Sequence, residues 1–138
     1  MSELTGGLEA ALVKASSPSW AQRVRAGRDL ASFADVSEAV EALVGLLLDA
    51  EDTAVTRQTA EALARVGTVP AIRLIALAVA EADDNQADWL QIGVHDALMG
   101  PGGVPDIAVV CGKLVWDPEE AVRRGAADIS AWADGPRC

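Results

Sequence analysis

A chain of 138 residues is the size of one domain, and at 51% apolar content it can bury a substantial core. Its 21 acidic and 11 basic residues give a formal charge of −10. That argues against a non-specific nucleic-acid binder, which must meet phosphates with a surplus of Lys and Arg.

Ala, Leu and Val supply most of the apolar content, with one Phe, no Tyr and four Trp. Alanine has the best helix propensity and lets helix backbones approach closely, whereas the alternating β-branched runs of a sheet are scarce. The expectation is an all-α fold. The first ten residues, MSELTGGLEA, show no basic segment followed by an apolar one, so no secretory signal is read and a reducing cytoplasm is expected. The longest apolar stretch, Val69 to Ala80, contains Arg73 and is short of the ~20 residues a membrane span needs. Cys111 in an apolar helical run and Cys138 at the last position do not make a disulfide framework.

Taken in chain order, the apolar periodicity predicts eight helices, over residues 3–15, 18–33, 37–48, 53–66, 69–82, 86–99, 104–116 and 118–133, with 134–138 frayed. The second is introduced by Ser17-Pro18, a cap residue before a proline at the first helical position. Val40, Leu43 and Leu47 mark the apolar stripe of the third. The acid-rich Asp49-Ala-Glu-Asp52 separates it from the fourth, which carries Leu63 and Val66. Ile72, Ile75 and Val79 mark the fifth, and Glu81-Ala-Asp-Asp-Asn85 reads as the next inter-repeat loop. The sixth contains Trp89 and His95, and Gly100-Pro-Gly-Gly103 is a turn. The seventh carries Ile107, Val110 and Leu114, and the eighth, after Asp117-Pro-Glu-Glu120, carries Ile129 and Trp132. That last start has the spacing of a capping box.

Three passages repeat. Asp35-Val-Ser-Glu-Ala-Val40, Gly67-Thr-Val-Pro-Ala-Ile72 and Gly102-Gly-Val-Pro-Asp-Ile107 each lie between two helical patterns. A period near 33 residues with two helices per period is the mark of a stacked α-solenoid. The expected repeats are 17–49, 50–83 and 84–117, within one domain spanning 1–138 and with partial repeats at each end.

The stretch Asp49-Ala-Glu-Asp-Thr-Ala-Val-Thr-Arg-Gln-Thr-Ala-Glu-Ala-Leu63 resembles the first-helix signature of HEAT repeats, as does Asp117-Pro-Glu-Glu-Ala-Val-Arg-Arg-Gly-Ala-Ala127. Val24-Arg25 echoes the signature in the first repeat. Thr56 stands where the family has Arg, and Trp89-Leu-Gln-Ile-Gly-Val94 replaces Val-Arg in the third. The resemblance spans roughly residues 17 to 134. It implies a short right-handed α-solenoid of the HEAT, armadillo-like kind, and says almost nothing about function.

Catalytic apparatus is not visible. His95 is the one histidine, and its neighbour Asp96 points about 100° away on a helix, a poor general-base pair. One His and two distant Cys do not make a zinc site, and Asp83, Asp84, Asn85 and Asp88 lack the Gly and closing Glu of a calcium loop. No cofactor and no metal are expected. Arg23, Arg25 and Arg28, with Arg123 and Arg124, are expected to pair with acids of neighbouring repeats. Trp20, Trp89 and Trp132 are expected in the core.

The second helix of each pair should line the concave face. Opposite the core stripes stand Glu38, Ala42, Gly45 and Asp49; Pro70, Leu74, Leu77 and Glu81; and Pro105, Val109, Gly112 and Trp116. Leu74, Leu77, Val109 and Trp116 would form an apolar floor, with Glu38, Asp49 and Glu81 as an acidic rim. A helix apolar all round is covered by something: a protein partner, its own neighbours in a tight curl, or a second copy. The leading expectation is a non-catalytic module that binds a protein partner, with a basic protein favoured by charge. An immunity or antitoxin-type protein is one version of it. A HEAT-like enzyme such as a lyase or DNA glycosylase is the alternative, and a homodimer stays open.

Overall fold

The computed structural model describes residues 3–100 and 106–134. The described residues form eight α-helices and no strand: α1 Glu3–Ala15, α2 Trp20–Leu30, α3 Ser37–Leu47, α4 Thr53–Val66, α5 Val69–Glu81, α6 Asp84–Met99, α7 Ile107–Leu114 and α8 Glu120–Asp134. A single 3-10 turn, Ala31–Phe33, extends α2. This is a short HEAT-like solenoid.

Local chemistry sets most boundaries. Asp52, Thr68 and Asp83 cap α4, α5 and α6, each accepting from a backbone N–H of the first turn. Asp83 and Gln86 complete a capping box, and Gln86 also donates through Nε2 to the Leu48 carbonyl of the preceding repeat, 3.0 Å away. Gly67 ends α4 in the left-handed conformation (φ 67°), where a side chain would be strained.

Two expected caps are replaced. The cap of α2 is Ser19, not Ser17, so Pro18 precedes the helix. Before α8, Asp117 accepts from the Glu119 N–H and takes Arg73 as an ion-pair partner instead of closing a capping box with Glu120. α8 starts at Glu120, three residues past Asp117, so Asp117 stands ahead of the cap position. The chain nonetheless leads into α2 and α8 by the same device. Arg23 and Arg123 each donate through Nη1 to the carbonyl six residues earlier, on Ser17 (2.9 Å) and Asp117 (2.6 Å). α7 starts at Ile107 with Asp106 as its cap; Pro105 and Pro101-Gly-Gly103 of the expected turn lie outside the described residues, as do Cys138 and the rest of the tail past Asp134.

Close approach fixes the stacking. α4 packs on α2 and, most extensively, on α6. A Cβ added to Gly93 of α6 would stand 2.3 Å from the Arg57 carbonyl oxygen of α4, so only glycine allows that contact. On the second-helix side, α3 packs on α5, but the principal neighbour of α5 is α8, while α7 packs on α5 and α8. A Cβ at Gly125 would lie 1.9 Å from the Ala76 carbonyl oxygen. Thus α8, not α7, takes the place beside α5 where the second helix of the third repeat was expected. Apart from α1, which packs on α2 and α3, every described helix touches α4 or α5, although α2 packs more extensively on α1 and α7 on α8.

The core runs through all layers, from Val24 and Leu30 through Leu43, Leu47, Val55, Leu63, Ile72 and Ile75 to Leu90, Val94, Ile107 and Ile129, all buried. Trp89 and Trp132 are half-buried. Trp20 is a correction, being 52% exposed. It is the first residue of α2, one turn before the buried Arg23 and Val24, at the end of the packed stripe.

Candidate functional site

The amphipathic pattern of α3 buries Ala39, Leu43, Leu46 and Leu47 and leaves Glu38, Glu41 and Gly45 outside. α1 packs mainly on α2 and less on α3. A groove of about 440 Å³ lies between α1 and α3. Leu12 and Ala15 line it from α1, Ala42, Gly45 and Leu46 line it from α3, and Glu38, Glu41, Asp49 and Arg23 supply its charge. A Cβ added to Gly45 would meet nothing within 4 Å, so the groove is open there.

Its charges are unequal in status. Arg23 is buried, with Nε 3.1 Å from Asp49 Oδ2 and Nη1 on the Ser17 carbonyl. Both ends of that pair are almost fully covered, so it is an internal strut of the groove wall. Glu38 and Glu41 are exposed and have no ion-pair partner among the described residues. The groove therefore presents an apolar floor beside two free carboxylates.

The residues expected to form one binding face are dispersed. Glu38 and Asp49 line this groove. Leu74 is 1% exposed and cannot be part of any open floor. The cause is α8: α5 is buried at Ala71, Ile72, Leu74, Ile75, Ala76, Ala78 and Val79, so the chain covers its own inner helix. Leu77 is half-buried, and Glu81 is exposed at the far end of α5. Val109 and Trp116 are exposed on and just after α7, 57% and 86% respectively, away from the groove's lining. Sequence reasoning missed the part of α1: Leu12 and Ala15 carried helical periodicity but no sign of the helix they would face.

Other candidates for chemistry are tied into the scaffold. His95 Nε2 lies 3.2 Å from the Trp132 carbonyl oxygen, an atom that only accepts, so Nε2 carries the proton and donates. Asp96 pairs with Arg57 across the α4–α6 contact at 2.7 Å. Arg73 donates to both carboxylate oxygens of Asp117 (2.8 and 3.3 Å) and to Glu119 (2.8 Å), tying α5 to the start of α8. That guanidinium holds the Asp117 carboxyl below its ordinary range. Arg28 donates to Gln58, while Arg25 and Arg124 have no ion pair among the described residues. Burial pushes the Cys111 thiol up to about 11. Among the described residues, no group of three His, Cys, Asp or Glu is placed to hold a metal ion. No described helix is long and apolar enough to cross a membrane.

With stacked helix pairs and this geometry established, one comparison is decisive: the family model for HEAT repeats matches residues 7–93. The chain belongs to the HEAT-repeat family. The matched region takes in α2 to α5 and ends within α6, ahead of the part where α8 departs from regular stacking. No curated protein and no solved structure shows significant similarity to it. HEAT repeats commonly mediate protein–protein contacts and are typically non-catalytic.

Proposed function

We propose that this HEAT-repeat protein is a non-catalytic interaction module that receives a basic segment of a protein partner in the groove between α1 and α3. The observation that carries this reading is the pairing of Glu38 and Glu41, both without a counter-ion among the described residues, with the apolar lining of Leu12, Ala15, Ala42 and Leu46. A partner placing Arg or Lys against the two glutamates and a small apolar side chain beside Gly45 would bury apolar area and satisfy the carboxylates together. The charge of −10 would speed its encounter with a basic protein. A protein that neutralises a basic toxin, as immunity or antitoxin proteins do, is one form this role can take.

The test places a photo-crosslinking residue at Gly45, where a side chain meets open space, and at Asp88 on α6 as a control. Cells expressing each are irradiated and the adducts sequenced. Capture of one basic protein from Gly45, lost in Glu38→Lys/Glu41→Lys and weakened by salt, is the expected result. Equal adducts from both positions, or capture indifferent to the charge reversal, would refute the assignment of the groove.

A further inference from the structure

We propose that the cleft between the loops preceding α4 and α6 is a binding site for a guanidinium, the arginine side chain of a protein partner. The chain carries its own template for such a site. The fourth residue of α2 and of α8 is an arginine, Arg23 and Arg123, and each donates through Nη1 to the carbonyl six residues earlier. Arg23 also donates through Nε to Asp49, in the loop that opens the next repeat. The fourth residue of α4 is Thr56, with Ala50 six residues before it and Asp83 in the loop that follows α5. Ala50, Thr56 and Asp83 line one cleft of about 180 Å³. Two of these three equivalent places hold a guanidinium of the chain itself, and the third offers the same surroundings beside a short threonine.

The loop acids follow the same pattern. Asp49, Asp83 and Asp117 recur at intervals of 34 residues. Asp49 pairs with Arg23 and Asp117 with Arg73, whereas Asp83 has no ion-pair partner among the described residues. Glu51 and Asp52, which line the cleft beside it, have none there either, and no basic residue lines it.

Shape selects the cation. Among the described residues no three acids are placed to hold a metal ion, so these carboxylates suit a broad, forked group better than a compact one. Trp89 lines the same cleft, half-buried, and an indole face is the aromatic surface that attracts a guanidinium most. Thr56 is 1% exposed, and its hydroxyl takes part in no side-chain hydrogen bond among the described residues; on this cleft it can accept from a guanidinium N–H. The volume falls below the ~300 Å³ at which pockets for small molecules begin, and it has room for the end of one long side chain. Asp49 lines both this cleft and the α1–α3 groove, so the two adjoin, and a basic segment seated in the groove can place an arginine here. That source rests on the function proposed above; the fit of the cleft to a guanidinium does not.

Nuclear magnetic resonance titration of the isotope-labelled full chain with N-acetyl-arginine methylamide tests the site, read at the indole N–H of Trp89, which its loss in Trp89→Phe assigns. The expected result is a saturable millimolar shift, retained in Glu38→Lys/Glu41→Lys. Thr56→Arg, which supplies a guanidinium from within, should abolish the shift and raise the urea midpoint. Asp83→Asn, which keeps a residue able to cap α6, should weaken binding about tenfold, the worth of one charge-assisted hydrogen bond. N-acetyl-lysine methylamide should bind several-fold more weakly, since its ammonium lacks the planar fork. Absence of a saturable shift in the wild type overturns the proposal, and so does binding undiminished in either Thr56→Arg or Asp83→Asn. A shift lost in Glu38→Lys/Glu41→Lys overturns it as well, because the arginine then sits in the groove. Where the shift behaves as expected but Gly45 captures no basic protein, the groove reading fails and the guanidinium site stands.

Discussion

Replacing Gly125 by alanine tests whether α8 is the helix that closes the inner side of this solenoid. The new Cβ would stand 1.9 Å from the Ala76 carbonyl oxygen, and ordinary contact begins at 3.4 Å, so α8 must retreat by about 1.5 Å. Both walls are backbone, and no side chain can swing aside. A radial gap of that size forfeits half or more of the dispersion energy along the contact. Overpacking of this kind costs about 3 kcal/mol, the upper part of the usual range. Alanine returns about 1 kcal/mol through its helix propensity. The net expectation is a loss of about 2 kcal/mol, which at a urea dependence of about 2 kcal/mol per molar lowers the midpoint by roughly 1 M. Gly45→Ala is the control: its Cβ meets nothing, and it should gain up to about 1 kcal/mol. Urea titrations followed by far-ultraviolet circular dichroism give both numbers. If Gly125→Ala matches or exceeds the wild type, the close α5–α8 packing is wrong.

Four further outcomes are expected. Arg23→Met strands the nearly buried Asp49 carboxylate and frees the Ser17 carbonyl, which should cost about 3 kcal/mol in the same titration. Thr59→Val should gain about 1 kcal/mol, because the Thr59 hydroxyl is buried with no hydrogen-bond partner and the replacement has the same shape. Asp117 is held below the ordinary carboxylate range by Arg73, so this pair contributes fully above about pH 4 and is lost as pH falls through the depressed folded value. Thermal unfolding of wild type and Arg73→Gln should accordingly differ at neutral pH and converge in strong acid; a difference that persists there refutes the linkage. Cys111, buried and with its thiol raised to about 11, should resist maleimide at neutral pH until the chain unfolds, as mass spectrometry of timed samples would show.

Helix positions were legible because caps and periodicity are local. The structure starts α4, α5 and α6 within two residues of the expected places, at Asp52, Thr68 and Asp83 caps. Partnership between helices was less legible, since an apolar stripe specifies burial and not against what. The passage before α7 repeats the one before α5, which made α7 the natural mate for its predecessor; α8 took that place instead. Two signals pointed there. Arg73 inside an apolar helix needs an acidic partner, and it has Asp117 and Glu119 at the start of α8. Gly125, in a helix otherwise rich in alanine, marks a crossing too close for a side chain. For the groove, Glu38 and Asp49 were reached because both fall on the outer stripe of the expected third helix, Glu38 on α3 and Asp49 two residues past its end. Leu74 failed because an all-apolar helix looks the same whether a partner or its own chain covers it.

The central pair α4–α5 carries the neighbours on both flanks, with α1 alone set apart. Damage should therefore spread unequally. Loosening of α1 or α7 strips one layer and leaves the remainder standing, whereas opening α4 or α5 removes the support of nearly everything else. Amide protons of α4 and α5 should then be the last to exchange, and a protease should trim the molecule from its flanks inward.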